Sequence, residues 1–328
     1  MEVVIHIIVG DSRLMKVVIL DAKTLTNDDI DFSVFDEFGE VTIYDYTKYN
    51  QIAERIKDAE IILCNKSIMN RMTLKDAKNV KYIGLFATGY NNVDIEYTNE
   101  RNITVCNAGS YSTNAVAQHV FALILEHYNK VGEYNKFVKD GGWIHSEKFS
   151  PFKPMKEMDG RTLGIVGYGS IGKKVAKIAQ AFDMKVLAYN RSPKKDESVR
   201  FVEMDELLEK SDIVSIHCPL NRDSEKMCNK DFFSKMKDGA LFINTSRGGV
   251  VDEPALIEAV KSGKLSGAGL DVVAVEPMEK HYDILDIDNI IITPHSAWAP
   301  VETRTRLVEI VRNNIKKWVA GAPVNVIK

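Results

Sequence analysis

From Lys16 onward the chain alternates short apolar runs with stretches in which apolar residues recur every three or four positions. The runs "KVVIL" (16–20), "VTIYD" (41–45), "IILC" (61–64), "YIGLF" (82–86) and "ITVCN" (103–107) read as buried strands separated by helix-length segments. That alternation predicts a parallel sheet with helical crossovers. The next stretch, "STNAVAQHVFALILEHYNKVGEYNKFV", predicts one long helix starting at Ser112 or Thr113. Its apolar character over 114–126 runs nearly all the way round, as expected of a helix buried between domains or subunits.

After a Pro- and Lys-rich linker (149–160) the alternation restarts with "TLGIVG", "KVLAY", "DIVSIH", "ALFIN", "GAGLDV" and "NIIIT", the pattern of a doubly wound sheet. An amphipathic helix closes the chain, with Leu307, Ile310, Val311 and Ile315 on one face. The expectation is an α/β protein of two parallel-sheet domains. Residues 1–14 read as an upstream extension or a misplaced start, because Met15 opens "MKVVILDAK", the natural first strand of a domain.

Composition narrows the partners. With 43 basic and 46 acidic residues the formal net charge is -3, and no Lys/Arg block tracks a phosphate backbone, so neither nucleic acid nor a membrane surface is expected. The four cysteines are scattered without a CxxC pair; they predict reduced core residues of a cytoplasmic protein and no metal site. No apolar run reaches the length of a membrane span, and the opening lacks the features of a signal peptide.

The chemistry starts at "TLGIVGYGSIGKKVAKIAQAF". Gly167, Gly169 and Gly172 form G-x-G-x-x-G directly after an apolar strand and at the mouth of a helix with Ile171, Val175, Ile178 and Phe182 on one face. In that setting the first glycine permits a tight turn, the second lets backbone approach a pyrophosphate, and the third lets helix and strand pack closely. The helix N-terminus offers unpaired N–H groups and a partial positive charge to the phosphates. Three more strand ends carry functional side chains: Arg247 after "ALFINTS", Glu276 after "GLDVVAV" and His295 after "NIIITP". In a doubly wound sheet those ends open on one carboxyl edge, so the three are expected to converge.

The motifs "GIVGYGSIG", "FINTSRGGVVDE", "GLDVVAVEP" and "ITPHSAWAP", in this order, resemble the D-isomer-specific 2-hydroxyacid dehydrogenases over residues 15–328. "ATGYNNVD" (87–94), "NAVAQHVFALIL" and Trp298 resemble the glycerate dehydrogenase and hydroxypyruvate reductase branch. The resemblance implies a Rossmann-type NAD(P) domain (113–298) inserted into a discontinuous, flavodoxin-like substrate domain (15–112 and 299–328). It also implies a homodimer built largely on the cofactor domains, and a small 2-keto or 2-hydroxy acid as substrate.

Reducing such a keto acid needs a hydride on C2, a proton on the ketone oxygen and a cation for the carboxylate. His295 is the candidate proton donor. Glu276 on its other ring nitrogen orients the ring and favours imidazolium. Arg247 holds the carboxylate through a planar fork that lysine lacks. The resemblance adds the backbone around Thr88, Gly89 and Tyr90, with Trp298, as substrate contacts. To the cofactor it gives Ser170, Ile171, His217, Pro219 and Thr245, and Asp271 on the nicotinamide amide. Ser296 departs from the apolar residue expected there.

Asn190 stands 23 residues after Gly167, where an NAD enzyme carries a carboxylate for the ribose hydroxyls. A neutral amide followed by Arg191 and Ser192, with Lys194 and Lys195 nearby, predicts that NADPH is favoured over NADH, the field being partly offset by Asp196 and Glu197. Competing readings are a formate dehydrogenase, whose branch carries an amide at the position of Glu276, and a 3-phosphoglycerate dehydrogenase-like enzyme, which would commonly add a regulatory domain beyond the closing helix. A third is a non-enzymatic NAD(P)H-sensing interaction protein of the corepressor type, expected to carry a disordered docking tail.

Overall fold

The computed structural model describes residues 14–192 and 194–327, which leaves all but the last of the residues read as an N-terminal extension outside the described residues. The chain divides into two compact units, Met1–Ser112 with Ala299–Lys328, and Thr113–Trp298.

Among the described residues the first unit holds five parallel strands: β1 (Met15–Ile19), β2 (Gly39–Ile43), β3 (Ile61–Cys64), β4 (Tyr82–Leu85) and β5 (Thr104–Cys106), ordered β2-β1-β3-β4-β5. The central strands β3 and β4 are buried at every position because helices cover both faces, which is why they read as unbroken apolar runs. The edge strand β2 starts two residues earlier than its apolar run predicts. Gly39 begins pairing opposite Met15, where a Cβ would stand 1.9 Å from the Met15 carbonyl oxygen, and Tyr44 and Asp45 leave the ladder to accept the amides of Ala22 and Lys23. The helix Val301–Val319 returns to this unit, burying Leu307, Val311 and Ile315 and setting Trp318 against Tyr82 at 5.0 Å between ring centres. Ile310, expected on the same face, is only half-buried.

The second unit carries seven parallel strands: β6 (Thr162–Val166), β7 (Lys185–Tyr189), β8 (Arg200–Phe201), β9 (Ile213–Ile216), β10 (Ala240–Asn244), β11 (Leu265–Leu270) and β12 (Ile290–Ile292). Their order, β12-β11-β10-β9-β6-β7-β8, reverses direction between β6 and β9, the switch point at which doubly wound sheets bind ligands. The strand β8 escapes the apolar pattern because two residues, one of them Arg200, are too short a run to register. Two apolar cores, one on each face of the sheet, bury its strands.

Where one helix was expected through residue 138, there are two, Thr113–Asn129 and Val131–Lys139. Lys130 takes the left-handed conformation at φ +52°, and the Glu126 carboxylate captures the Gly132 amide at 2.9 Å, turning the chain. In the first helix Val120, Phe121, Leu123 and Ile124 are buried within the unit, while Gln118 and the apolar Ala122 are exposed. The second buries no residue. Among the described residues no helix is long and apolar enough to cross a membrane. Cys64, Cys106, Cys218 and Cys228 are all free thiols, three of them buried.

Candidate active site

The glycine turn joins β6 to the helix Ser170–Ala181. Gly167 has φ +98°, and a Cβ there would lie 2.7 Å from the His217 carbonyl carbon and the Cys218 nitrogen, so only glycine lets the turn nest against the end of β9. At Gly172 a Cβ would meet the Gly167 carbonyl oxygen at 2.4 Å, which is the close helix–strand contact the third glycine serves. Beside Gly169, by contrast, the space is open to 4 Å, at the helix N-cap where amides point outward. The helix face that packs inward is Gly172, Val175, Ala176 and Ala179, narrower than the face read from sequence; Ile171 and Ile178 are half-buried, Ser170 is exposed, and Phe182 lies outside, stacked on Phe121.

A cleft of about 310 Å³ opens over this turn. Gly167 and Gly169 line it together with Asn190, Arg191, Ser192, His217, Pro219 and, unexpectedly, Asp223. The Asn190 side chain is committed to the turn itself, accepting the Tyr168 amide at 3.0 Å and donating to the Ser192 carbonyl at 2.7 Å. The local acid Asp196 turns away from Arg191: it accepts the Tyr168 hydroxyl at 3.0 Å, sits 3.2 Å from the Lys173 ammonium and takes two further hydrogen bonds from Ser198. Those donors hold its carboxyl far below the ordinary range, the Ser198 hydroxyl first among them. The acid that meets Arg191 is Asp223.

His217 Nδ1, whose residue lines the cleft, and the Thr245 hydroxyl, at the end of β10, are buried polar atoms without a protein partner. An unsatisfied buried group costs about 1–3 kcal/mol, so an orphan in a cleft lining marks where a ligand atom belongs. Desolvation lowers the His217 pKa to about 4, so its ring is neutral, and Nε2 shares a 2.9 Å hydrogen bond with the Ser215 hydroxyl. The open space at Gly169 and these orphans fit a dinucleotide.

Arg247, Glu276 and His295 follow β10, β11 and β12, neighbouring strands of the sheet. The buried Asn244 clamps the turn before Arg247, accepting from the Ser246 amide and hydroxyl and donating to the Arg247 carbonyl at 3.0 Å; Arg247 Nη1 donates to the Ser246 carbonyl at 2.7 Å. At the following Gly248 a Cβ would stand 1.9 Å from the Val273 carbonyl oxygen, so the Arg247 turn and the loop after β11 touch through bare backbone. That loop then folds so that Glu276 Oε1 accepts the Val273 amide at 2.9 Å and Oε2 accepts His295 Nδ1–H at 2.6 Å.

His295 itself lies at φ +53°, a left-handed conformation uncommon outside glycine. Asp271 holds it there. The Asp271 carbonyl accepts the His295 amide at 2.9 Å, while its buried carboxylate accepts the Thr293 hydroxyl (2.6 Å) and the amides of Ser296 and Ala297 (2.9 Å each). Because the Thr293 proton goes to Asp271, His119 Nε2 is the donor in its 2.8 Å contact with the Thr293 oxygen. Trp298 is half-buried at the end of this segment.

In the first unit, Thr88 donates to the Gly109 carbonyl and its own carbonyl accepts Asn107 Nδ2 at 2.7 Å. Among the described residues no hydrogen bond occupies the Gly89 and Tyr90 amides, and the Tyr90 side chain is exposed. The adjoining loop at Asn65–Ser67 is pinned by Asp21, whose buried carboxylate accepts the amides of Asn65, Lys66 and Ser67 and the Ser67 hydroxyl, all at 2.8 Å.

Sequence reasoning overlooked Asp21, Asn244, Gly248 and Asp223. Asp21 and Asn244 each follow or end an apolar strand, the place where a polar side chain caps a neighbouring loop, so they carried a readable signal. Gly248 and Asp223 carried none, since their partners are set by the paths of distant loops.

Residues 121–297 match the model of the D-isomer specific 2-hydroxyacid dehydrogenase NAD binding domain. A hydroxypyruvate reductase of Blautia hydrogenotrophica is 42% identical over 320 residues, 95% of this chain and 99% of that one. A glycerate dehydrogenase of Methylorubrum extorquens is 39% identical over 317 residues, again 95% and 99%. Among solved structures, an acyclic imino acid reductase in complex with NADPH and D-Arg superposes with a TM-score of 0.86 at 31% identity, covering 96% of this chain and all of that one.

Proposed function

The chain belongs to the D-isomer specific 2-hydroxyacid dehydrogenase family, an NAD(P)-dependent oxidoreductase, and from that premise we propose that it reduces hydroxypyruvate or glyoxylate to D-glycerate or glycolate, favouring NADPH over NADH. The observation that carries the reading is the 2.6 Å contact of His295 with Glu276 on the sheet edge that also bears Arg247. The names of the two similar enzymes support a small, hydroxylated keto acid.

When bound, the reduced nicotinamide supplies the hydride. Arg247 binds the substrate carboxylate and polarises the ketone. His295 holds the proton on Nε2, aimed at the ketone oxygen, while Glu276 on Nδ1 fixes the ring plane. Trp298 walls the pocket. The residues Gly167–Gly172, with the Ser170 and Ile171 amides, would hold the pyrophosphate of the cofactor; Thr245, His217 and Pro219 would be further contacts, and Asp271 would accept from the carboxamide. In this reading 113–298 is the cofactor domain, and 15–112 with 299–328 is the substrate domain.

Cofactor preference rests on residue 190 being an amide and on Arg191 and Ser192 lining the cleft. A homodimer is supported by the exposed apolar side chains of Trp143, Phe149, Phe152 and Met155, which line one surface depression of the kind that marks an interface. The deciding experiment is a panel of 2-keto acids assayed with NADPH and NADH. Highest kcat/KM with hydroxypyruvate or glyoxylate and NADPH is expected; a best rate with an aromatic keto acid, or with NADH, would overturn the corresponding half of the proposal.

A further inference from the structure

The acid facing Arg191 comes from 32 residues downstream, not from the adjacent Asp196 and Glu197. Arg191 Nη1 donates to Asp223 Oδ2, and both side chains line the cleft over the glycine turn, beside Asn190 and Ser192. Asp196, the acid nearest in sequence, is spent on Tyr168, Lys173 and Ser198, and the charged side chains that line the cleft are Arg191 and Asp223.

The two partners differ in freedom. Asp223 sits on a turn closed by its own side chains: Asn221 Oδ1 accepts the amides of Asp223 (2.9 Å) and Ser224 (3.2 Å), and the buried Ser224 hydroxyl accepts the Asn221 amide at 2.8 Å while donating to the Pro219 carbonyl at 2.7 Å. Arg191 hangs from an exposed turn on a long flexible stem. The carboxylate is therefore the fixed member and the guanidinium the movable one. With side chains 70% and 72% exposed the ion pair is weak, so an arriving anion can draw Arg191 away.

We propose that Asp223 is a specificity-determining residue for the cofactor: its carboxylate competes with a 2′-phosphate for the Arg191 guanidinium and so limits the preference for NADPH. A phosphate taken up by Arg191 must displace or share a bond already made and then lie near a second anion. A ribose carrying a free 2′-hydroxyl meets neither obstacle, because it donates to carboxylates rather than repelling them. The inference rests on the reading that Arg191 receives the 2′-phosphate, and the test separates the two.

The test is kcat/KM for NADPH and NADH at saturating hydroxypyruvate in wild type, Asp223→Asn, Arg191→Ala and the double variant, with Asp223→Ser as a second replacement should the asparagine variant fold poorly. Removing the carboxylate is expected to raise the NADPH:NADH ratio on the order of tenfold, through a lower KM for NADPH, and to do so much less when Arg191 is already absent. A ratio that stays within about twofold of wild type or falls overturns the inference, as does an undiminished rise in the Arg191→Ala background. If Arg191→Ala alone leaves the ratio unchanged, the underlying reading of Arg191 fails; if it lowers the ratio while Asp223→Asn does nothing, only the competition fails.

Discussion

Glu276 Oε2 accepts the Nδ1 proton of His295 at 2.6 Å, joining the loops after two adjacent strands and leaving the opposite ring nitrogen as the one the proposed mechanism uses. His295→Ala is therefore expected to lower kcat by about 10²–10⁴-fold, the usual worth of a positioned acid, with little change in coenzyme affinity. Steady-state kinetics with a fluorescence titration of NADPH checks both halves; substantial residual turnover would assign the proton donor elsewhere.

Glu276→Gln keeps an acceptor near Nδ1 but removes its charge. A fall in kcat of roughly ten- to a hundredfold is expected, smaller than for loss of the imidazole, because the ring persists and only its orientation and electrostatic support weaken. Equal losses in the two variants would show that the pair acts as one unit.

Arg247→Lys retains the cation and loses the fork. KM for the keto acid is expected to rise about 10–100-fold, the value of one charge-assisted hydrogen bond, with KM for coenzyme unchanged. An unaltered KM for the keto acid would remove Arg247 from the carboxylate site.

Gly248→Ala tests whether the Arg247 turn must lie on the backbone of Val273. A methyl group there has no room, with the Val273 carbonyl oxygen 1.9 Å away, so the loop carrying Glu276 must shift. The expectation is a stability loss of about 1–3 kcal/mol together with a drop in kcat, read by denaturant unfolding and kinetics. A fully active, fully stable variant would refute the close approach.

His127 supplies a pH dependence of stability. Its ring lies against Ser266 at 3.2 Å, and burial lowers its pKa from 6.5 to about 4. Below pH 6.5 the unfolded chain binds a proton that the folded chain refuses, so stability is lost as pH falls through that window. The loss is expected to be roughly 1–3 kcal/mol by pH 4, and His127→Gln should flatten that part of the profile. Parallel profiles for wild type and variant would mean the ring titrates freely.

The sequence by itself determined what is local. Buried parallel strands announce themselves as apolar runs, so every strand of four or more residues in the structure was visible, while the two-residue Arg200–Phe201 was not. Turn chemistry is equally local: Gly167, Gly169 and Gly172 between a strand and a helix specify a tight turn onto a helix N-terminus. The placing of Arg247, Glu276 and His295 at the ends of three strands followed from strand order alone, because parallel strands present those ends on one edge.

Tertiary structure decided what depends on the routes of loops and the reach of long side chains. The break at Lys130 needed Glu126 to seize an amide six residues on, and a helical periodicity carries no mark of that. Asp196 looked like the counter-charge to Arg191 because it is near in sequence, yet Lys173, Tyr168 and Ser198 surround it, and the turn Asn221–Ser224 delivers Asp223 instead. Gly248 and Val273 meet because β10 and β11 are neighbours whose following turns are pressed together. Periodicity and turn preference are properties of a few consecutive residues and can be read without the rest of the fold. Which charges face each other is a property of packed loops, and only the folded chain contains it.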